Sequence, residues 1–312
     1  MDLLTVAKKL GNNSSFGNEM LYHMCSDENT DLNNPGHLSD MMWLIGRAYA
    51  ASPERRTYGY EKNADGTIKR TSQNKRIPLW QAKNSNDGKG EYFIFIAEYI
   101  TKKSDFYQLR SIIDHIKNSS YKYNESNNDI DLLSKGIYAV YLYNKLIREA
   151  SEEFDDLNDS KNIAAITAKA KGAHCKNQIS FCSKFLHFHS PYIVFIIDQF
   201  SFDGGKKLIP HKSLSFSAKF EDFSKSLIPL DPLNLKDNYQ NILTKVNEKL
   251  KDINPDLFGT DKISEDSEKI SSYIEHCTRI YCIAKYLNDI KNQDDFIITP
   301  RLIDDLLLCI KK

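Results

Sequence analysis

The sequence predicts a mainly α-helical protein, and three observations predict it. Apolar residues recur at three- and four-residue spacing over long stretches such as 130–149 and 266–291, the period of one buried helix face. Alternation at period two is scarce. Helix start signals stand before several of these stretches, the clearest being Thr299-Pro300, a capping hydroxyl followed by the residue suited to the first helical position.

Taken in order, residues 1–38 are rich in Asn, Gly, Ser and Asp and predict one helix followed by loop. Ser39 and Asp40 are suited to cap a helix over 40–51, which Ser52-Pro53 ends. Residues 61–90 read as a polar loop or small ribbon anchored by Pro78-Leu79-Trp80. Helical spacing returns over 91–118, interrupted near Thr101–Ser104, and again over 130–149. The acidic stretch EASEEFDDLNDS, 150–161, reads as a linker between lobes. A short helix over 162–170 breaks at Gly172 and another follows over 177–188, leading into the extended run YIVFIID, which ends at Asp198. Gly204-Gly205 reads as a turn, 206–236 as irregular, and 237–252, 266–291 and 300–311 as the closing helices. The expected division is an N-terminal helical lobe over 1–160, a second lobe over 161–235, and C-terminal helices over 236–312 that pack back on the first lobe, with a cleft between the two lobes.

Composition bounds the function classes. With 41% hydrophobic residues in 312, the chain can bury a sizeable core and is not a disordered polymer. The longest apolar runs are far too short to cross a bilayer. The 42 basic and 42 acidic side chains cancel, so a global basic signature is absent and only local clusters can hold a polyanion. Such a cluster exists: Arg47, Arg55, Arg56, Arg70 and Arg76 are five of nine arginines. The six cysteines show no paired spacing and no secretory leader stands at the N-terminus, which reads as a reduced, cytoplasmic protein with buried thiols.

Two segments carry candidate chemistry. In ISFCSKFLHFHSPYIVFIIDQ, 179–199, an apolar helix delivers the chain into a short buried run ending on a carboxylate. Asp198 there is either a helix cap or a catalytic group in a partly apolar pocket, and composition leaves both open. In RAYAASPERRTYGY, 47–60, three arginines interleave with Tyr49, Tyr58 and Tyr60. That mixture suits phosphate contacts with base stacking, or equally a salt-bridged helix end around Glu54.

The segments GRAYAASPERR, 46–56, and SKFLHF, 183–188, together with the helix-to-aspartate passage, resemble the helix-hairpin-helix DNA glycosylase superfamily. The similarity is to its 8-oxoguanine-glycosylase branch and to prokaryotic antiphage members acting on modified phage DNA. The motifs cover about a tenth of the chain. The resemblance implies a two-lobed helical fold with a degenerate hairpin, since 171–178 reads KGAHCKNQ with Gly172 alone. It implies that Asp198 stabilises the sugar cation and directs water, that the target nucleotide leaves the stack, and that DNA is the partner. Lys176 and Lys184 stand on either side of the place where bifunctional members carry a lysine nucleophile, so a monofunctional mechanism fits better. Arg47, Arg55, Arg56, Gly172 and His187 are the implied DNA-contacting residues, with Trp43, Tyr49 and Tyr58 walling the base pocket. Neither metal nor cofactor is implied.

Three other readings compete. His174, Cys175, Cys182, His187, His189 and His211 are metal-type ligands clustered in sequence, without the paired spacing of a closed zinc site. Arg110 and His115 resemble the arginine–histidine motif of HEPN ribonucleases. A non-catalytic helical module that binds nucleic acid or a partner needs neither motif.

Overall fold

A computed structural model describes residues 16–26, 29–49, 63–65, 67, 70, 72, 90–159, 178–209, 232–258, 265–291 and 297–311. These residues are mainly helical, and the only strand-type pairing among them is one isolated bridge at Arg70. The helices are α1 (Phe16–Met24), α2 (Pro35–Ala48), α3 (Gly90–Ile100), α4 (Ser104–Ile116), α5 (Asn127–Asp159), α6 (Ile179–His189), α7 (Gln199–Leu208), α8 (Pro232–Ile253), α9 (Glu265–Ile290) and α10 (Pro300–Lys311), with a 3-10 turn at Pro255–Phe258. None is long and apolar enough to cross a membrane.

Four helix boundaries differ from expectation, each for a local reason. Helix α2 begins at Pro35, not near residue 40. Asn34 Oδ1 accepts the amides of Gly36 at 2.9 Å and His37 at 3.4 Å, so Asn34 is the cap and Pro35 takes the first helical position. Ser39 lies inside the helix and donates its hydroxyl to the Gly36 carbonyl. The acidic stretch expected to be a linker is helical through Asp159. Lys145–Glu149 and Arg148–Glu152 pairs at i,i+4 support it. Helix α8 starts at Pro232, five residues before the expected 237. Finally, Gly204 and Gly205 form no turn but lie within α7. A Cβ on Gly204 would stand 2.5 Å from the backbone carbonyl oxygen of Leu307 in α10. The glycine is there because two helix backbones touch.

The chain divides into two compact units built from separated segments. The first comprises Met1–His23, Ser111–Tyr141 and Leu186–Lys312. Within it α7 packs on α10 and α9, and α8 packs on α9, burying Tyr273, Ile280, Tyr281, Leu306 and Leu307. Each such side chain contributes roughly 1.5–3 kcal/mol by leaving water. The second comprises Met24–Arg110 and Leu142–Phe185. There α2 packs on α3, the Tyr92 and Ser151 hydroxyls meet at 2.8 Å, and the Tyr143 and Phe185 rings stack at 4.9 Å.

Candidate active site around Asp198

The site is built on a piece of chain that has no secondary structure. Residues 194–198 are neither helix nor strand, and Ile193–Ile196 are buried. Buried carbonyls need donors, and among the described residues no neighbouring strand supplies them. Side chains do. Tyr121 donates its hydroxyl to the Ile193 carbonyl at 2.7 Å, and His187 donates Nδ1–H to Val194 at 2.7 Å. Tyr273 donates to Phe195 at 2.8 Å, and His276 donates Nε2–H to Ile196 at 3.0 Å. Four consecutive carbonyls are thus held by four side chains from the loop before α5, from α6 and from α9.

Both histidines are neutral. Burial pushes His187 down to about 4 against the Val194 hydrogen bond, with the nearby Arg301 charge lowering it further. With Nδ1 protonated, Nε2 accepts the Tyr22 hydroxyl at 2.7 Å. His276 is likewise pushed down to about 4, by burial first, against the Ile196 carbonyl bond that raises it. Its Nδ1, left as an acceptor, is buried without a partner.

The run ends at the N-terminus of α7, and Asp198 caps that helix. Its Oδ1 accepts the Ser201 amide at 2.8 Å, while its own amide donates to Ser201 Oγ at 3.2 Å, the reciprocal arrangement of a capping box. The cap reading of Asp198 is therefore present in the geometry. It does not exhaust the residue, because Asp198 is only half-buried and has a second carboxylate for company.

That carboxylate is Asp304, in the first turns of α10. It is 2% exposed and its Oδ1 has no hydrogen-bond partner. Arg301 Nη1 reaches Oδ2 at 3.0 Å, and Arg301 Nη2 reaches Asp305 at 2.8 Å. Burial nonetheless pushes the Asp304 carboxyl up to about 7. Arg301 and the Ser201 hydroxyl pull it down; the charges of Asp198 and Asp305 push it up. At neutral pH Asp304 is a carboxyl that holds or releases a proton beside Asp198. Near His276, Arg279 is wholly buried, donating to Ile209 O at 2.8 Å and to Glu275 at 2.9 Å, and it stands 5.3 Å from the Tyr239 ring centre.

The other expected residues fall as follows. His187 is an interior residue, with no surface to offer DNA. Lys184 is 6% exposed, meets Ser180 Oγ at 3.3 Å and stands 5.8 Å from the ring centre of Tyr49, so two of the expected site residues are neighbours. Tyr49 and Trp43 are half-buried. The backbone of Arg47 lies in α2; its side chain, and all of Arg55, Arg56, Tyr58, Gly172 and Lys176, lie outside the described residues. His174, Cys175 and His211 also lie outside them. No group of three metal-type ligands comes together among the described residues, and Cys182 is a buried thiol whose pKa burial raises. Arg110 and His115 sit five positions apart on α4, about 140° around the helix, and His115 Nε2 is 3.0 Å from Lys135 Nζ.

Three residues of this cluster were not anticipated: Asp304, His276 and Arg279. One signal was available for Asp304, a carboxylate inside the apolar stripe LIDDLLLCI three residues after an arginine. No known protein family, curated protein or solved structure matches the chain.

Proposed function

We propose that the protein is a DNA N-glycosylase that hydrolyses the bond between deoxyribose and a modified base, of the kind found in phage DNA, leaving an abasic site. The proposed architecture is the two-lobed, degenerate helix-hairpin-helix type. One observation carries the reading: a half-buried carboxylate at the end of a fixed run, near enough to the buried Asp304 carboxyl that its charge helps raise that group's pKa. Pairs of carboxyl groups in unlike environments suit reactions at anomeric carbons, where a cation-like sugar must be stabilised and a proton moved.

In this reading the target nucleotide leaves the stack. Asp198 faces the sugar and lowers the energy of the positive charge that grows there. Water oxygen bonds to the anomeric carbon, the carbon–nitrogen bond breaks, and its electron pair leaves on the base. The water proton passes through Asp198 to the departing nitrogen. Asp304 touches no substrate; it is a positioning residue that sets the charge felt at Asp198. Neither step requires a lysine, so the enzyme is monofunctional.

The test is incubation with modified phage DNA, unmodified DNA and RNA, scoring alkali-labile abasic sites against direct strand breaks. Asp198→Asn should reduce base release by about 10²–10⁴-fold while binding DNA as before. Full release by a folded Asp198→Asn protein would remove the assignment. Borohydride should trap no covalent adduct, since trapping requires a lysine Schiff base; an adduct lost in Lys184→Gln or Lys176→Gln would overturn the monofunctional step.

A further inference from the structure

Gly204 and Gly205 stand side by side in α7 for different reasons. At Gly204 a side chain is forbidden, because the Leu307 carbonyl oxygen already occupies its place. At Gly205 nothing forbids one. A Cβ there would meet Arg279 Cδ at 3.7 Å, His276 Nδ1 at 3.8 Å and Arg279 Cβ at 3.9 Å, which are ordinary contact distances. The residue is buried within the helix, where glycine is a poorer choice than alanine by about fivefold in the folding equilibrium. Sterics do not account for this glycine, and helix propensity opposes it.

The atoms beside it do account for it. His276 and Arg279 are one turn apart on α9, and both are wholly shielded from solvent. His276 commits Nε2–H to the Ile196 carbonyl at 3.0 Å, so in the neutral ring Nδ1 is a lone pair that calls for a donor. Arg279 commits Nε to the Ile209 carbonyl at 2.8 Å and Nη2 to Glu275 at 2.9 Å. Its remaining nitrogen, Nη1, is the one on the Cδ side of the guanidinium, and Cδ is the Arg279 atom nearest to Gly205. Neither His276 Nδ1 nor Arg279 Nη1 has a hydrogen-bond partner among the described residues. One buried acceptor and one buried donor thus border the space that a Cβ would fill, and leaving either unsatisfied costs stability.

We infer that one water molecule is bound between α7 and α9 at Gly205, donating to His276 Nδ1 and accepting from Arg279 Nη1. The two groups select the ligand. An anion would face the imidazole lone pair, and a cation would face the guanidinium. The ligand is therefore neutral, small, and both donor and acceptor, as ordered water in polar interior sites is. Arg279 polarises this water and makes it a stronger donor. A donor at Nδ1 in turn stabilises the neutral ring and fixes the tautomer whose Nε2–H grips Ile196, two residues before Asp198. The site stands whatever reaction Asp198 serves.

Two substitutions in the full chain separate a bound water from an apolar gap. Gly205→Ala expels the water and strands both polar atoms. Gly205→Ser also expels it, but puts a hydroxyl on the same carbon, within reach of Nδ1. In denaturant unfolding the serine variant should be the more stable by about fivefold in the equilibrium constant, the effect of one stranded group. Helix propensity alone predicts the reverse order, since alanine is the better helix former. Oxygen-17 relaxation dispersion, which counts long-lived interior waters, should find one fewer in Gly205→Ala than in the parent. In the nitrogen-15 spectrum of the parent, the His276 Nδ1 signal should lie upfield, where hydrogen-bonded imidazole acceptors appear. An alanine variant as stable as the serine one, an unchanged count of long-lived waters, or an Nδ1 signal at the position of a free acceptor would overturn the inference. The last readout uses the unaltered protein, so it decides the matter even where both variants fail to fold.

Discussion

The N-termini of α5 and α7 carry the same device in opposite orientation. At α5 the serine is the cap and the aspartate follows three residues later: the Asp129 amide donates to Ser126 Oγ at 3.2 Å. At α7 the aspartate is the cap and the serine follows. In the first case the carboxylate is wholly buried and spends its oxygens on two amides and a tyrosine. In the second it is half-buried and stands near a buried carboxyl, Asp304, whose pKa its charge helps to raise. A capping carboxylate is structural when its lone pairs are all taken by donors. It becomes available for chemistry when the surroundings leave it a charged neighbour and a path to solvent.

The largest effect should come from the first site. Asp129→Ala strands three donors in the interior, and at about 1–3 kcal/mol each the loss should be about 4 kcal/mol or more in denaturant unfolding. A loss under about 1 kcal/mol would show that the α5 cap holds nothing.

Next is the pH dependence of the α7 side. His187 and His276, depressed to about 4, bind fewer protons folded than unfolded. Their stabilisation is present above pH 6.5 and is lost as pH falls through 4. Asp304, raised to about 7, has the opposite sign: its stabilisation is full below pH 4 and is lost as pH rises through 7. Asp305, raised by burial against Arg301, acts in the same sense. Two histidines against Asp304 leave a net slope of about 1.4 kcal/mol per pH unit, rising from pH 4 to 6.5 and turning down above it. Asp304→Asn should steepen the acid side and abolish the downturn, as measured by melting across that range. An unchanged profile would mean that Asp304 is not the raised group.

The smallest effect compares the two serines. Ser126→Ala should cost about 1 kcal/mol as a lost cap, and Ser201→Ala no more than that as the lost return bond of a capping box, but only Ser201→Ala should shift the pH profile of base release, since its hydroxyl stands beside Asp304. Equal profiles would erase the distinction between the two helix ends.

Much of this was legible in the residues, and the failures have physical causes. Thr299-Pro300 marked α10 correctly because cap and first turn are local; Thr299 Oγ1 accepts the Leu302 amide at 3.1 Å. Asn34-Pro35 is an equally local signal, and the linear reading took Ser39-Asp40 in its place. Gly204 could not be read locally, since the reason for that glycine is the backbone of Leu307, a hundred residues away. Asp198 was legible as the end of a buried run. Its partner was not, because a carboxylate in an amphipathic helix shows nothing of its burial until the neighbouring helices are placed.

The side-chain grip on residues 193–196 has a last consequence, for insertion and deletion. A strand in a sheet can slip by two residues and find equivalent partners, because the ladder repeats. Here each carbonyl has its own donor, and Tyr121, His187 and the α9 pair Tyr273 and His276 belong to three separate parts of the chain. A slip of one place would hand every carbonyl to the wrong group and carry Asp198 past the start of α7. The run is indexed tooth by tooth, so one residue added between Pro191 and Asp198 should be far less tolerated than one added beyond the run, and the location of the carboxylate is specified to a single residue.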